Sequence, residues 1–129
     1  MDMSKYMGIF RAESEKYIKE LGDSLLTLEN NPENTEQMNT LFRAAHTFKG
    51  MAATMGFKQI VELTHEMESL IDRLRTRQVV LNSSLTDILF VCVDTLEELV
   101  ESVCESERTD PGKRKKDAAN KYESYPDVY

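Results

Sequence analysis

Hydrophobic residues recur at intervals of three and four along most of the chain, a spacing that places them on one face of an α-helix. Polar and charged residues fill the positions between them, so the pattern predicts four amphipathic helices. The predicted helices span residues 4–29, 35–55, 58–75 and 85–105. Their apolar stripes contain Phe10, Tyr17, Leu21, Leu25 and Leu28; Met38, Leu41, Ala45, Phe48, Ala52 and Met55; Ile60, Leu63, Met67, Leu70, Ile71 and Leu74; and Leu85, Ile88, Leu89, Cys92, Leu96, Leu99 and Val103.

The segments between the predicted helices carry residues that begin or end helices. "NNPEN" offers Asn31 or Asn34 as an N-cap beside Pro32, and Gly56 is placed to end the second helix. "TRQVVLNSS" ends in serines that can cap the fourth helix. Because most connections are short and the helices are similar in length, we expect an all-α fold, an antiparallel four-helix bundle.

The composition changes after residue 105. The segment 106–129, "SERTDPGKRKKDAANKYESYPDVY", has charge runs and a Pro-Gly pair but no apolar stripe. We therefore expect residues 1–105 to form the bundle. We expect residues 106–129 to be a polar linker or disordered tail, or to add a short C-terminal helix.

Composition and charge narrow the class of protein. The chain has 129 residues, enough for one domain with a single core, and a net charge of −7. An acidic balance argues against nucleic-acid binding, which needs clustered basic residues, and the one basic run (113–116) lies in the predicted tail. The longest apolar run, "ILFVCV", is far shorter than the ~20 residues of a membrane span. No membrane insertion is expected.

The two cysteines and the N-terminus indicate a cytoplasmic protein. Cys92 and Cys104 have the spacing of neither a metal knuckle nor a redox pair, and Cys92 falls on an apolar stripe. We therefore expect a reduced core cysteine. The first residues, "MDMSKYMGIF", lack the pattern of a signal peptide.

Three residues within the second helix do not fit a purely structural role. In "AAHTFKGMAATMGF", His46 and Lys49 share a strip beside the apolar stripe, and they lie three residues apart, so their side chains meet. Gly50 lies one turn from His46, where a side chain would crowd the imidazole. A glycine inside a helix costs about 0.5–1 kcal/mol relative to alanine, which suggests that another protein approaches His46 closely there.

The third helix has a matching strip that contains Val61, His65, Glu68 and Asp72. If the second and third helices pack antiparallel through a turn at Gly56, His46 and Glu68 lie at similar heights, because each residue of a helix rises ~1.5 Å. His46, Lys49 and Glu68 are then neighbours across the helix pair.

Three function classes fit this arrangement. In the first, His46 carries a phosphoryl group, Glu68 accepts a hydrogen bond from one ring nitrogen, and Lys49 offsets the incoming negative charge. In the second, His46, His65 and Glu68 bind a metal, although only one carboxylate is well placed and Lys49 would repel a cation. The third is a structural adaptor, which leaves Gly50 unexplained.

The sequence holds no glycine-rich phosphate cradle, so another domain must supply any nucleotide, and we expect no cofactor.

The segment "LFRAAHTFKGMAATMGF" resembles the phosphorylation-site helix of the histidine-phosphotransfer (HPt) domain at the N-terminus of CheA-type chemotaxis sensor kinases. "LTHEMESLIDRLR" is similar to the helix that follows in that family, and the similarity spans roughly residues 6–103.

The resemblance implies a role for each matching residue. His46 would be the phosphoacceptor, Glu68 would orient and polarise it, and Lys49 and His65 would belong to the same hydrogen-bonded network. The ATP-binding domain of the kinase, acting in trans within a dimer, would phosphorylate His46. The phosphoryl group would then pass to an aspartate of response-regulator receiver domains. The chain would therefore be a substrate and phosphoryl carrier within a histidine kinase.

Overall fold

Four α-helices follow one another along the chain. A computed structural model describes residues 3–108, and within that range it contains α1 (Met3–Asn30), α2 (Thr35–Met55), α3 (Lys58–Arg75) and α4 (Ser83–Arg108), with no strand. The predicted bounds of α2 and α3 agree with the structure, and α1 is slightly longer than predicted. α4 extends beyond the predicted range 85–105 at both ends, so Ser106, assigned from sequence to the tail, is a buried helical residue. The rest of the predicted tail, with its alternative short helix, lies outside the described residues.

The helices pack as an antiparallel four-helix bundle, as predicted. α2 lies between α1 and α3, and α4 lies between α3 and α1, so that α2 and α4 occupy opposite corners. Burial of a leucine, isoleucine or phenylalanine side chain stabilises a fold by roughly 1.5–3 kcal/mol, so the shared core is the main stabilising contribution. Its largest fully buried side chains include Phe10, Leu21, Leu25, Leu28, Leu41, Phe48, Ile60, Met67, Ile71, Leu89 and Leu96. None of the four described helices has the length and apolar character needed to cross a membrane.

The buried face of α4 differs from the predicted stripe. Ile88 was expected in the core but is 51% exposed, whereas Val93 and Val100 are buried in its place. Cys92 is only partly buried, and burial raises the pKa of its thiol, while Cys104 is fully buried. The segment "ILFVCV" is apolar all round the helix, so the pattern gives no contrast from which to choose a face. Packing against α1 and α3 makes that choice.

Side chains of asparagine begin two of the helices. The Asn34 side chain, one of the two predicted candidates, accepts a hydrogen bond from the Gln37 amide (3.1 Å) at the start of α2. At the start of α4 the cap is Asn82, whose side chain accepts a hydrogen bond from the Leu85 amide (2.9 Å). The prediction that a serine caps α4 was therefore wrong: Ser83 is already the first helical residue.

Left-handed residues end α2 and α3. Gly56 has a φ of 76°, and the amides of Gly56 and Phe57 donate to the carbonyls of Ala53 and Ala52 in a Schellman motif. Arg77 takes the same role after α3 with a φ of 62°, although it is not a glycine. An L-residue in this conformation costs roughly 1–2 kcal/mol. The two helix ends therefore have the same geometry at different cost.

Exchange of the residue types at these ends should change stability in opposite directions. Gly56→Ala should lower the free energy of unfolding by about 1 kcal/mol, because the added Cβ meets no neighbour and only the left-handed backbone opposes it. Arg77→Gly should raise the free energy of unfolding by up to about 1 kcal/mol. Urea unfolding followed by circular dichroism measures both, with Gln78→Gly as the control, which should destabilise. Wild-type stability in both variants would contradict the assigned strain.

Candidate functional site

The predicted site residues on α2 and α3 meet across the helix pair. His46 Nδ1 lies 2.8 Å from Glu68 Oε2. The Lys49 ammonium donates to the same carboxylate and lies 3.1 Å from both of its oxygens. The turn at Gly56 sets the register that brings these three side chains to one height. Glu68 therefore joins one ring nitrogen and one ammonium of α2 to α3.

Burial decreases outward through the site. The side chain of Glu68 is 17% exposed and that of Lys49 is 25% exposed, whereas that of His46 is 63% exposed. Because a carboxylate only accepts hydrogen bonds, Nδ1 is the ring nitrogen that carries hydrogen in this contact. In the neutral ring the lone pair is then on Nε2, which is outside the bond to Glu68. The geometry presents a nucleophilic nitrogen on an exposed imidazole.

The electrostatics of Glu68 reflect two opposing effects. Burial disfavours the carboxylate charge and by itself would raise the pKa of Glu68. The hydrogen bonds from His46 and Lys49, together with their charges, outweigh burial and hold the pKa of Glu68 below its ordinary value. The carboxylate is thus kept ionised, so both of its oxygens accept hydrogen bonds and its charge faces the imidazole N–H.

The other two predicted site residues lie apart from these bonds. His65 is exposed, and within residues 3–108 it makes no hydrogen bond with His46, Lys49 or Glu68. Its predicted place in the network is therefore not seen in this structure. Gly50 is also exposed, and a Cβ added there would meet nothing within 4 Å, so the expectation that a side chain would crowd the imidazole was wrong. No neighbour within the described residues accounts for the glycine.

Two residues that sequence reasoning missed flank the imidazole. The ring of Phe42 stacks beside that of His46, with centroids 6.2 Å apart and planes 12° apart. The Arg75 guanidinium lies 4.3 Å from the centre of the Phe42 ring and donates to Asp72 (2.5 Å). The four-residue spacing of Phe42 and His46 was a readable signal, because such residues adjoin on a helix. Arg75 could not be found in this way, since its contact depends on how α2 and α3 align.

The metal alternative is not supported. It requires His46, His65 and Glu68 to converge, yet the described part of the chain contains no group of three histidine, cysteine or carboxylate side chains able to hold a metal ion. The Lys49 ammonium occupies the carboxylate that the metal would need. The donor set fits a hydrogen-bonded imidazole instead.

Comparison with known proteins identifies the family. The family model described as Hpt domain matches residues 5–106. The chain belongs to the Hpt domain family. The chain is 41% identical to the chemotaxis protein CheA of Listeria monocytogenes over 97 residues, which are 75% of this chain and 16% of that protein. The chain therefore spans about a sixth of the length of this curated relative.

Solved structures share the same bundle. The CheA phosphotransferase domain from Thermotoga maritima superposes with a TM-score of 0.77 at 40% identity, covering 80% of this chain and 98% of that one. The phosphorylated P1 domain of CheA3 in complex with CheY6 from R. sphaeroides gives a TM-score of 0.75 at 26% identity, covering 81% of each chain. The resemblance drawn from the sequence and the predicted four-helix bundle are both confirmed.

Removal of the charge on Glu68 should change the pH dependence of stability. A carboxyl group whose pKa is lowered in the folded state adds stability above its ordinary value of 4.5, and that stability is lost as the pH falls through the folded pKa. The wild type should therefore exceed Glu68→Gln in free energy of unfolding at pH 6, and the gap should narrow towards pH 3. Urea titrations at several pH values measure the gap, with Glu66→Gln on the exposed face of α3 as control. A gap that stays constant from pH 6 to pH 3 would contradict the lowered pKa.

Proposed function

We propose that this domain is the phosphoryl carrier of a CheA-type chemotaxis histidine kinase and that His46 is its phosphoacceptor. The observation that carries the proposal is the 2.8 Å contact between His46 Nδ1 and Glu68. It directs hydrogen to Nδ1 and leaves the Nε2 lone pair for attack. The domain is then a substrate and carrier, and the activity is that of a phosphotransferase only together with the rest of a cytoplasmic kinase.

The phosphorylation step can be balanced with the residues present. The Nε2 lone pair forms a bond to the γ-phosphorus of ATP, the bond from that phosphorus to the β–γ bridging oxygen breaks, and ADP leaves. The ring keeps its Nδ1 hydrogen and gains positive charge, which the adjacent Glu68 carboxylate stabilises. No general base need remove a proton, because Nε2 carries none.

Lys49 controls the charge around the acceptor. An ionised Glu68 alone would repel an incoming phosphoryl group, but the ammonium 3.1 Å away offsets its charge. The pair therefore stabilises a positive imidazole on one side without presenting a net negative charge to the phosphate. This role requires both side chains. Glu68 alone would favour the positive imidazole but repel the phosphoryl group, and Lys49 alone would do the reverse.

The partners are other protein domains. The chain has no glycine-rich phosphate cradle, so the ATP-binding domain of the kinase, acting in trans in a dimer, brings the nucleotide to His46. The relative in complex with CheY6 supports transfer from phosphohistidine to an aspartate of a receiver domain. Gly50, one turn from His46 and open to solvent, gives such a partner close access to the ring. His65 lies on the exposed strip one turn from Glu68, and its place in the network stays a prediction that no hydrogen bond within residues 3–108 supports.

Replacement of His46 should abolish phosphoryl acceptance without unfolding the domain. His46→Gln should take up no label from radiolabelled ATP and a CheA-type kinase core, while its melting temperature stays close to that of the wild type because the side chain is largely exposed. His65→Gln is the matched control, and it should still be labelled with the acid lability of phosphohistidine. If His46→Gln is still labelled and His65→Gln is not, the phosphoacceptor is His65 and not His46.

Replacement of Glu68 should slow the chemical step. Loss of the carboxylate removes both the preference for hydrogen on Nδ1 and the stabilisation of charge on the ring, and loss of one preorganised electrostatic partner typically costs about 10²–10³ in rate. Glu68→Ala should therefore slow single-turnover phosphorylation by a large factor. Glu68→Gln keeps an acceptor oxygen and should fall between wild type and Glu68→Ala. Single-turnover phosphorylation at the wild-type rate in Glu68→Ala would refute the role.

A further inference from the structure

The His46 ring is held by more than its hydrogen bond. Phe42 precedes it by one turn of α2 and lies beside it with nearly parallel planes, 12° apart. Arg75, at the end of α3, covers the Phe42 ring at 4.3 Å and is itself bonded to Asp72. Asp72 lies one turn beyond Glu68 on α3. The contacts therefore form a circuit that starts and ends on α3, with Glu68, His46, Phe42, Arg75 and Asp72 in order, and the helix itself joins its two ends.

A single hydrogen bond does not fix an exposed imidazole. The contact with Glu68 restrains the position of Nδ1, but the ring can still turn about that bond, and 63% of the His46 side chain has no protein around it. A neighbouring ring at offset-stacking distance restrains the plane as well as the position. Phe42 supplies that restraint.

Arg75 in turn restrains Phe42. The Phe42 side chain is only partly buried, so packing against the core alone leaves it some freedom. A guanidinium within about 6 Å of a ring centre attracts the ring, and Arg75 is well inside that range. The ion pair with Asp72 holds the guanidinium at the α3 end of the circuit.

We propose that Phe42 and Arg75 are positioning residues for phosphoryl transfer, with Arg75 bracing Phe42 so that the His46 ring keeps the plane in which Nδ1 meets Glu68 and Nε2 faces the incoming phosphorus. The inference rests on the proposed role of His46. Arg75 acts through Phe42 and not by attracting phosphate. A stacked ring is worth about 0.5–1.5 kcal/mol, which corresponds to roughly twofold to tenfold in rate.

Phosphorylation by a small donor separates positioning of the ring from contact with a partner protein. Phosphoramidate can react with a histidine without any docking surface, so a residue that only binds the kinase should not affect its rate. Phe42→Leu should slow labelling by phosphoramidate and by the kinase core alike, roughly twofold to tenfold. Phe42→Tyr keeps the ring and should react at nearly the wild-type rate. Slower labelling by the kinase alone would assign Phe42 to docking and overturn the proposal.

A double-mutant cycle tests the brace. Arg75→Met should slow the phosphoramidate reaction by a few fold, and Phe42→Leu combined with Arg75→Met should be no slower than Phe42→Leu alone, because Arg75 acts only through the ring. Arg73→Met removes another cation from the last turn of α3 and should leave the rate unchanged. Additive losses in the double variant would show that Arg75 acts independently and would overturn its assigned role.

A spectroscopic readout makes the result independent of turnover. Nitrogen-15 NMR of the imidazole should show Nδ1 protonated in the neutral ring of the wild type. In Phe42→Leu a larger share of the ring should be the Nε2-protonated tautomer, because the hydrogen bond to Glu68 forms less often. An unchanged tautomer in a folded Phe42→Leu would contradict the proposal. If wild-type His46 accepts no phosphoryl group from either donor, the proposed function fails, whereas the tautomer measurement still decides whether Phe42 positions the ring.

Discussion

The site depends on a carboxylate of α3 that accepts hydrogen bonds from two side chains of α2. His46 precedes Gly56 by ten residues and Glu68 follows it by twelve, so at ~1.5 Å per residue the two lie at similar heights only if the turn is fixed. A shift of one residue would rotate a side chain by about 100° and break the contact. The left-handed Gly56 and the edge-to-face packing of Phe57 on Phe10, with centroids 5.0 Å apart, hold that register. The geometry of the site therefore depends on the stability of this turn.

Burial within the site is graded in a way that serves two opposed needs. The carboxylate must be shielded from water to act strongly on the imidazole, and Lys49 with His46 offsets the cost of that burial. The imidazole must be exposed to meet a partner protein, and exposure deprives it of the packing that normally orients a side chain. Contacts from Phe42 and Arg75 replace part of that packing without covering the ring. An exposed nucleophile is thus held by its neighbours along the helix surface.

The sequence was sufficient where one strong pattern decided the outcome, and it failed where two helices had to be aligned. The periodicity located α2 and α3, and the spacing of His46, Lys49 and Glu68 placed them together because all three flank well-defined stripes. It could not tell that Val93 and not Ile88 faces the core, since both belong to an apolar segment. The predicted serine cap of α4 was wrong for a similar reason: Asn82 and Ser83 are neighbours and both can cap a helix, and it is the Asn82 side chain that accepts from the Leu85 amide. The Arg75–Phe42 contact depends on the register between α2 and α3, which no single-helix pattern contains.

The distribution of charge explains how an acidic domain can receive a polyanion. The chain carries a net charge of −7, and α4 displays a surface of Asp94, Glu97, Glu98, Glu101 and Glu105. α4 is diagonal to α2 in the bundle, and with neighbouring axes 8–10 Å apart the diagonal is about 11–14 Å. Ions in solution further screen the charges exposed on that surface, with a screening length of about 8 Å at physiological salt. Near His46, Lys49 is paired with Glu68 and Arg75 with Asp72, so these two carboxylates present no unpaired negative charge to an approaching phosphoryl group. The bundle keeps its acidic face and its phosphoacceptor on opposite corners, and net charge alone therefore does not describe what a partner encounters.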